Sequence, residues 1–256
     1  MCLIVFARNF HKDYPLILAA NRDEFYDRKS MKAAFWEDAP GVLAGRDLRA
    51  GGTWLGVHES GKISAITNYR NPRLEKANAP TRGLLPLNYL KGELGPLSYL
   101  KVLQKEEGAQ YNGFNLLTYD QNNMFHYNNI NNKINKIDAG IRAVSNAFLD
   151  TPWPKTELVK HKLLLEIEKG FDTNSLLNMM YDTQKAADPD LPTTGIALKL
   201  ERELSPMFIN TEKYGTCSST VVLVHKSKRV FFAERIYSAL SGIYKENKTE
   251  FDIKSS

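Results

Sequence analysis

Two apolar runs at the start of the chain, residues 2–8 and 16–21, constrain how it can fold. A polar turn over 9–14, closed by Pro15, separates them and predicts a β-hairpin. Both runs are apolar at consecutive positions. A strand exposed on one face alternates, so both strands are expected to be buried on both faces.

The same texture recurs. Gly51-Gly52 precedes a second strand pair, 53–58 and 62–68, joined over 59–61. Residues 115–119, 124–127 and 142–144 read as further strands. Residues 81–91 and 96–104 read as helical pieces. The clearest helix starts near Pro154, with Val159, Leu163 and Ile167 on one stripe and Gly170 after its end. A shorter helix is expected over 174–182, and a loop or short helix over 191–205. Residues 220–225 and 229–234 form a last hairpin over a basic turn. Strands, then helices, then strands, several of them buried on both sides, predict two antiparallel sheets packed face to face with helices outside, an α+β sandwich. A plain β-sandwich is the alternative, but it has no place for the long helix after Pro154. No repeat or long linker divides the chain, so residues 1–256 are expected to form a single domain.

Composition narrows the class. Of 256 residues, 43% are hydrophobic and 25% charged, which excludes wholesale disorder and a collagen-like chain. No apolar run approaches the ~20 residues of a membrane span. The net charge of +5 is scattered, so no nucleic-acid partner is expected. The 3–7 run lacks the basic start and the length of a secretory signal. With only Cys2 and Cys217, both thiols are expected to be reduced and the location cytoplasmic. Five dispersed histidines give no metal site. Oligomeric state is not legible.

The candidate chemistry sits at strand ends. Removal of Met1 would leave Cys2 with a thiol and a free α-amine, able to act as base for its own side chain. A small buried residue in a first strand fits Cys2 equally well. The polar cluster Asn21, Arg22, Asp23 and Glu24 ends the strand paired with that of Cys2. It can depress a thiol pKa, orient an α-ammonium or clamp a carboxylate, or be a charged turn. Asn68 and Asn146 follow apolar strands, where an amide suits an oxyanion or turn chemistry. Trp54, after the glycine pair, is a stacking wall or a core aromatic. The glycine pair itself is a close backbone approach to a ligand or a tight turn.

The stretches MCLIVF, LILAANRDEFYDR, GGTWLGV, ITNYR, YNGFNLL, SNAFLDTPWPK and YGTCSSTVVLV occur in order from residue 1 to about 235. They resemble the NRDE family, that of transport and Golgi organisation protein 2. The resemblance implies the four-layer αββα fold of N-terminal nucleophile hydrolases. A broader likeness is to the cysteine amidases of that fold. It implies Cys2 as nucleophile, Arg22 and Asp23 as its positioning pair, and Asn68 and Asn146 as oxyanion donors. A strict register gives Asn21 and Glu24 those positioning roles instead. Asn21, Glu24, Trp54, Tyr69 and Cys217 are then the candidate substrate-binding residues. Relatives often carry Arg where this chain has Cys217, which places Cys217 near Cys2 and weakens the claim to intact hydrolase machinery; Arg235 or Arg142 are the candidate replacements. The implied activity is hydrolysis of an amide or thioester, with no cofactor required and a small molecule as partner. The family is also associated with haem mobilisation and with acyl-CoA or lipid handling. That implies a non-catalytic binding protein, with haem as a candidate ligand and Cys2, Cys217, Tyr69 and His58 as candidate axial residues.

Overall fold

The two opening runs pair as a hairpin, β1 (Cys2–Arg8) and β2 (Leu16–Phe25), at the centre of a sheet. The computed structural model describes residues 2–238 and 244–254. The following strands are β3 (Ser30–Trp36), β4 (Ala39–Asp47), β5 (Leu55–His58), β6 (Ile63–Asn68), β7 (Phe114–Tyr119), β8 (Met124–Asn128), β9 (Lys133–Lys136) and β10 (Gly140–Val144). The last are β11 (Tyr214–Val224), β12 (Arg229–Tyr237) and β13 (Tyr244–Asp252). Helices α1 (Leu84–Lys91) and α2 (Pro96–Val102) fall between β6 and β7. Helices α3 (Pro154–Lys169), α4 (Thr173–Met179) and α5 (Leu198–Glu203) fall between β10 and β11.

Among the described residues the strands form two antiparallel sheets. One has the order β10-β1-β2-β11-β12-β13, the other β3-β4-β5-β6-β7-β8-β9. Alternation along β1 and β2 shows how they stack. Ile4, Phe6, Leu16, Leu18 and Ala20 point between the sheets and meet Leu55, Ile63, Ala65 and Leu117. Leu3, Val5, Ile17 and Ala19 point the other way, onto Val159 and Leu163 of α3 and Leu176 of α4. Both faces of the hairpin are therefore covered, as its unbroken apolar runs require. Each fully buried Leu or Phe contributes roughly 1.5–3 kcal/mol relative to exposure. On the far face of the second sheet, Leu85 and Leu100 of α1 and α2 cover Ile66, Phe114 and Leu116. The result is a helix–sheet–sheet–helix stack, and the plain sandwich is excluded. The stripe expected on α3 is the one buried, and Gly170 ends that helix at φ +86°.

The sequence reading differs from the structure where signals are polar or short. β2 continues through Asn21, Arg22, Asp23 and Glu24, so that cluster is strand and not turn. β3, β4, β9 and β13 were not expected. β4 is an interior strand whose apolar stretch, Val42 to Ala44, is too short to read as a strand. β3, β9 and β13 lie at sheet edges and carry mixed polar sequence, which has little alternation to read.

Candidate functional site

The hairpin register sets the site. Cys2 is the direct cross-strand partner of Arg22, and Leu3 of Asn21. Cys2 shares the face of Ile4 and Phe6, and Arg22 that of Ala20, so both side chains lie at the open end of the space between the sheets. There the layers part into a cleft of about 370 Å³. Arg22, Asp23 and Glu24 line one side; Trp54, Ile66 and Asn68 line the other. The Arg22 guanidinium stacks on the Trp54 ring at 4.4 Å. Glu24 and Asp47 both hold Arg28, at 3.6 and 2.7 Å.

The loops at the mouth are joined by the glycine pair. A Cβ on Gly52 would overlap the Gly83 carbonyl, and Thr53 N–H donates to that carbonyl at 2.9 Å. Gly51 takes φ +74° with open space around it. The pair lies in a tight turn, the close neighbour of Gly52 is the Gly83 backbone, and Gly52 also lines the cleft.

The opposite face of β2 meets the helix layer. Asp23 accepts from Thr216 Oγ1 at 2.7 Å. Burial pushes its carboxyl pKa up, while the nearby Lys155 charge and the Thr216 bond pull it down. Lys155, 3% exposed in the first turn of α3, donates to the Leu204 carbonyl at 3.0 Å. Burial lowers its pKa to about 8 against the pull of Asp23. Asn21 also faces this way. Its amide donates to the carbonyls of Met180 and Met207 at 3.0 and 2.8 Å, and its oxygen accepts from Ser219 at 2.5 Å. The amide nitrogen of Asn21 ties the sheet to the helix layer, and its oxygen ties β2 to β11, both away from the cleft.

The two asparagines come together. Asn146 Nδ2 donates to the Asn68 carbonyl at 2.9 Å, and Ser145 Oγ donates to the Cys2 carbonyl at 3.1 Å. Three strand ends, those of β1, β6 and β10, are thereby laced beside the thiol. Asn68 lines the cleft, while Asn146 supports it from behind. Burial raises the Cys2 thiol pKa, Asp23 adds to that, and Arg22 opposes it.

Other expected residues lie further out. Tyr69 packs on Phe148 with ring centroids 5.0 Å apart. Cys217 sits in a β-bulge between Thr216 and Ser218. Its strand, β11, lies across β2 from β1, two strand spacings or about 10 Å away. Its Sγ lies 3.5 Å from the Gly215 carbonyl oxygen, and both cysteines are free thiols. Burial raises the Cys217 pKa and Arg22 lowers it. His58 lies at the far end of β5, bonded to Ser60 at 2.8 Å. Neither Arg142, paired with Asp150, nor Arg235, paired with Glu246, reaches the cleft. A different arginine does: Arg82, on the loop before α1. Sequence reasoning missed Arg82, on a loop without a motif, Asp47, at the end of the unexpected strand β4, and Arg28, which ends the quoted stretch LILAANRDEFYDR. It also passed over Lys155, which ends the stretch SNAFLDTPWPK and could have been found there.

The sequence profile described as "Transport and Golgi organisation 2" matches residues 1–239. The chain belongs to the Transport and Golgi organisation 2 family. It is 37% identical to the bovine Transport and Golgi organization protein 2 homolog over 257 residues, covering 92% of each chain. The mouse homolog is 33% identical over 278 residues, covering both chains fully. Among solved structures, the C2A mutant of conjugated bile acid hydrolase from Clostridium perfringens superposes with a TM-score of 0.54. That match spans 98% of this chain and 92% of the other at 10% identity. This likeness shows the fold: the Transport and Golgi organisation 2 chain has the architecture of the N-terminal nucleophile hydrolases. Among the described residues, no helix is long and apolar enough to cross a membrane.

What the cleft can do chemically follows from its groups. It joins a thiol on the second residue, a guanidinium beside it and a side-chain amide on the facing strand. That set can attack a carbonyl and hold the resulting oxyanion.

Proposed function

We propose that the cleft hydrolyses a small amide or thioester, with Cys2 as nucleophile after removal of Met1. Met1 lies outside the described residues. The carrying observation is the cross-strand pairing of Cys2 with Arg22 in a cleft that Asn68 also lines. The freed α-amine takes the thiol proton as Sγ bonds to the substrate carbonyl carbon. The Asn68 amide donates to the oxyanion, and Asn146 positions Asn68 through its carbonyl. The proton then passes to the leaving nitrogen or sulfur as that bond breaks. Water cleaves the Cys2 thioester and releases the acid. Arg22 steadies the thiolate, and Asp23 the α-ammonium. Two free cysteines suit a reducing, cytoplasmic compartment.

A second reading is a ligand-binding protein of the same family, for a lipid-like or acyl ligand or for haem. The burial that raises the Cys2 pKa and the Cys217 that replaces a late arginine favour it. Haem would need an axial ligand in the cleft, and of Cys2, Cys217, Tyr69 and His58, Cys2 lines it.

Intact mass spectrometry after incubation with an activated acyl ester separates the two. Hydrolysis predicts a chain lacking Met1 with one acyl group on Cys2, and neither acylation nor turnover in Cys2→Ser. Equal turnover by a chain that retains Met1 would exclude the N-terminal mechanism and leave the binding reading.

A further inference from the structure

We infer that the cleft takes a ligand bearing its own oxyanion group, a carboxylate or phosphate, clamped between Arg22 and Arg82. This rests on reading the cleft as the functional site, but not on Cys2 being catalytic.

The argument starts from which charges are already matched. Arg28 is held by Glu24 and Asp47. Among the described residues, neither Arg22 nor Arg82 has a carboxylate within ion-pair distance. Arg22 is 5% exposed, and its Nη1 has no hydrogen-bond partner among the described residues. A buried guanidinium nitrogen without an acceptor is costly, so Arg22 offers an anionic group in the cleft a free donor. The Trp54 ring fixes the plane of that guanidinium but accepts none of its N–H groups in the manner of an oxygen.

Arg82 enters from the opposite wall. Its Nη1 donates to the Gly113 carbonyl at 2.9 Å, which anchors the side chain and leaves other N–H groups of the fork available. Half-buried, it lines the same cleft as Arg22 and Cys2 and brings a second guanidinium to it. Two guanidinium forks in a half-dry site match an oxyanion better than any neutral group. A volume of about 370 Å³ is at the small end of ligand pockets, so the partner is a small molecule and not a polypeptide.

The test compares alkylation of Cys2 by iodoacetate and by iodoacetamide, each rate divided by that of a small free thiol. The wild type should favour the anionic reagent, and Arg82→Met should reduce that preference about tenfold, the loss of one charge-assisted hydrogen bond. Arg82→Lys should fall between them and guards against a fold defect. In parallel, the melting temperature is read with malonate, malonamide and inorganic phosphate. A rise with malonate alone identifies a carboxylate site; a rise with phosphate alone identifies a phosphate site. Either should be lost in Arg82→Met. Equal normalised rates for the two reagents in the wild type, or no thermal shift with either anion, overturn the clamp. Anion preference without acylation by the ester would sink the hydrolase reading and leave this inference standing.

Discussion

Cys2 and Arg22 face each other across adjacent antiparallel strands, and their side chains emerge together where the two sheets part. The guanidinium therefore opposes the burial that raises the thiol pKa. Replacing Arg22 by Met keeps the stem on Trp54 and removes the charge. The Cys2 pKa should rise further, which slows alkylation near neutral pH. Rates of iodoacetamide modification from pH 6 to 10 measure this directly. An unchanged apparent pKa in the folded variant would mean that the charge does not reach the thiol.

Asn146 is expected to act through Asn68. Asn146→Ala removes the donor to the Asn68 carbonyl and the acceptor for Ser145. The chain should lose about 1–3 kcal/mol of stability. Acylation of Cys2 should fall more than tenfold, because the Asn68 amide is no longer held at the cleft. Urea midpoints give the first quantity and the ester mass shift the second. If acylation is unaffected while stability drops, Asn146 only braces the fold.

The layers were legible because continuous apolar runs leave a strand no choice but burial on both faces. Residues 2–8 and 16–21 therefore gave the central hairpin, and Val159 with Leu163 gave the helix that covers it. The site was legible only where it sits on those strands. Cys2, Arg22 and Asn68 were found by their places at strand ends. Asn21 was expected at the ligand, but residue alternation along β2 sends it to the helix side, which a turn reading of 21–24 could not reveal. Arg82 was invisible because its position comes from the close contact of Gly52 and Gly83, a tertiary meeting of two loops. Lys155 lay in the quoted stretch SNAFLDTPWPK, which flagged its position, but an isolated lysine at a helix start carries no sign of its burial.

Arg70 and Glu201 form a buried ion pair at 3.0 Å, with side chains 7% and 3% exposed. Arg70 also lies over the Trp153 ring at 4.9 Å, and Glu201 accepts from Thr194. The pair fastens α5 to the end of β6, near the lacing of Asn68. Glu201→Ala leaves a buried guanidinium short of its charge partner and should cost about 3–5 kcal/mol. Substituting both residues by apolar ones of similar volume should cost much less. Urea denaturation of the single and double variants tests this, and equal losses in both would refute the pairing argument.

Glu234 is the group expected to shape the pH dependence of stability. It lies 1% exposed between the sheets, where its Oε2 accepts from Ala33 N–H on β3 at 2.7 Å. Its cross-strand partner Asn247 donates to the Ala33 carbonyl, also at 2.7 Å, so the two side chains clasp one residue of the facing sheet. Burial raises the carboxyl pKa from 4.5 to about 7, against the Ala33 bond and the charge of Arg22. Between those values the folded chain keeps a proton that the unfolded chain has released. The folded state then binds more protons, so stability falls as pH rises through that window and levels off above it. Gln at this position stays neutral and can still accept from Ala33. The difference in unfolding free energy between Glu234→Gln and wild type should be near zero at pH 4.5. By pH 8 it should grow to a stabilisation on the order of 1–3 kcal/mol. Urea midpoints at four pH values across this range measure it. A difference that stays flat with pH would show that Glu234 ionises in the folded chain as it does in the unfolded one.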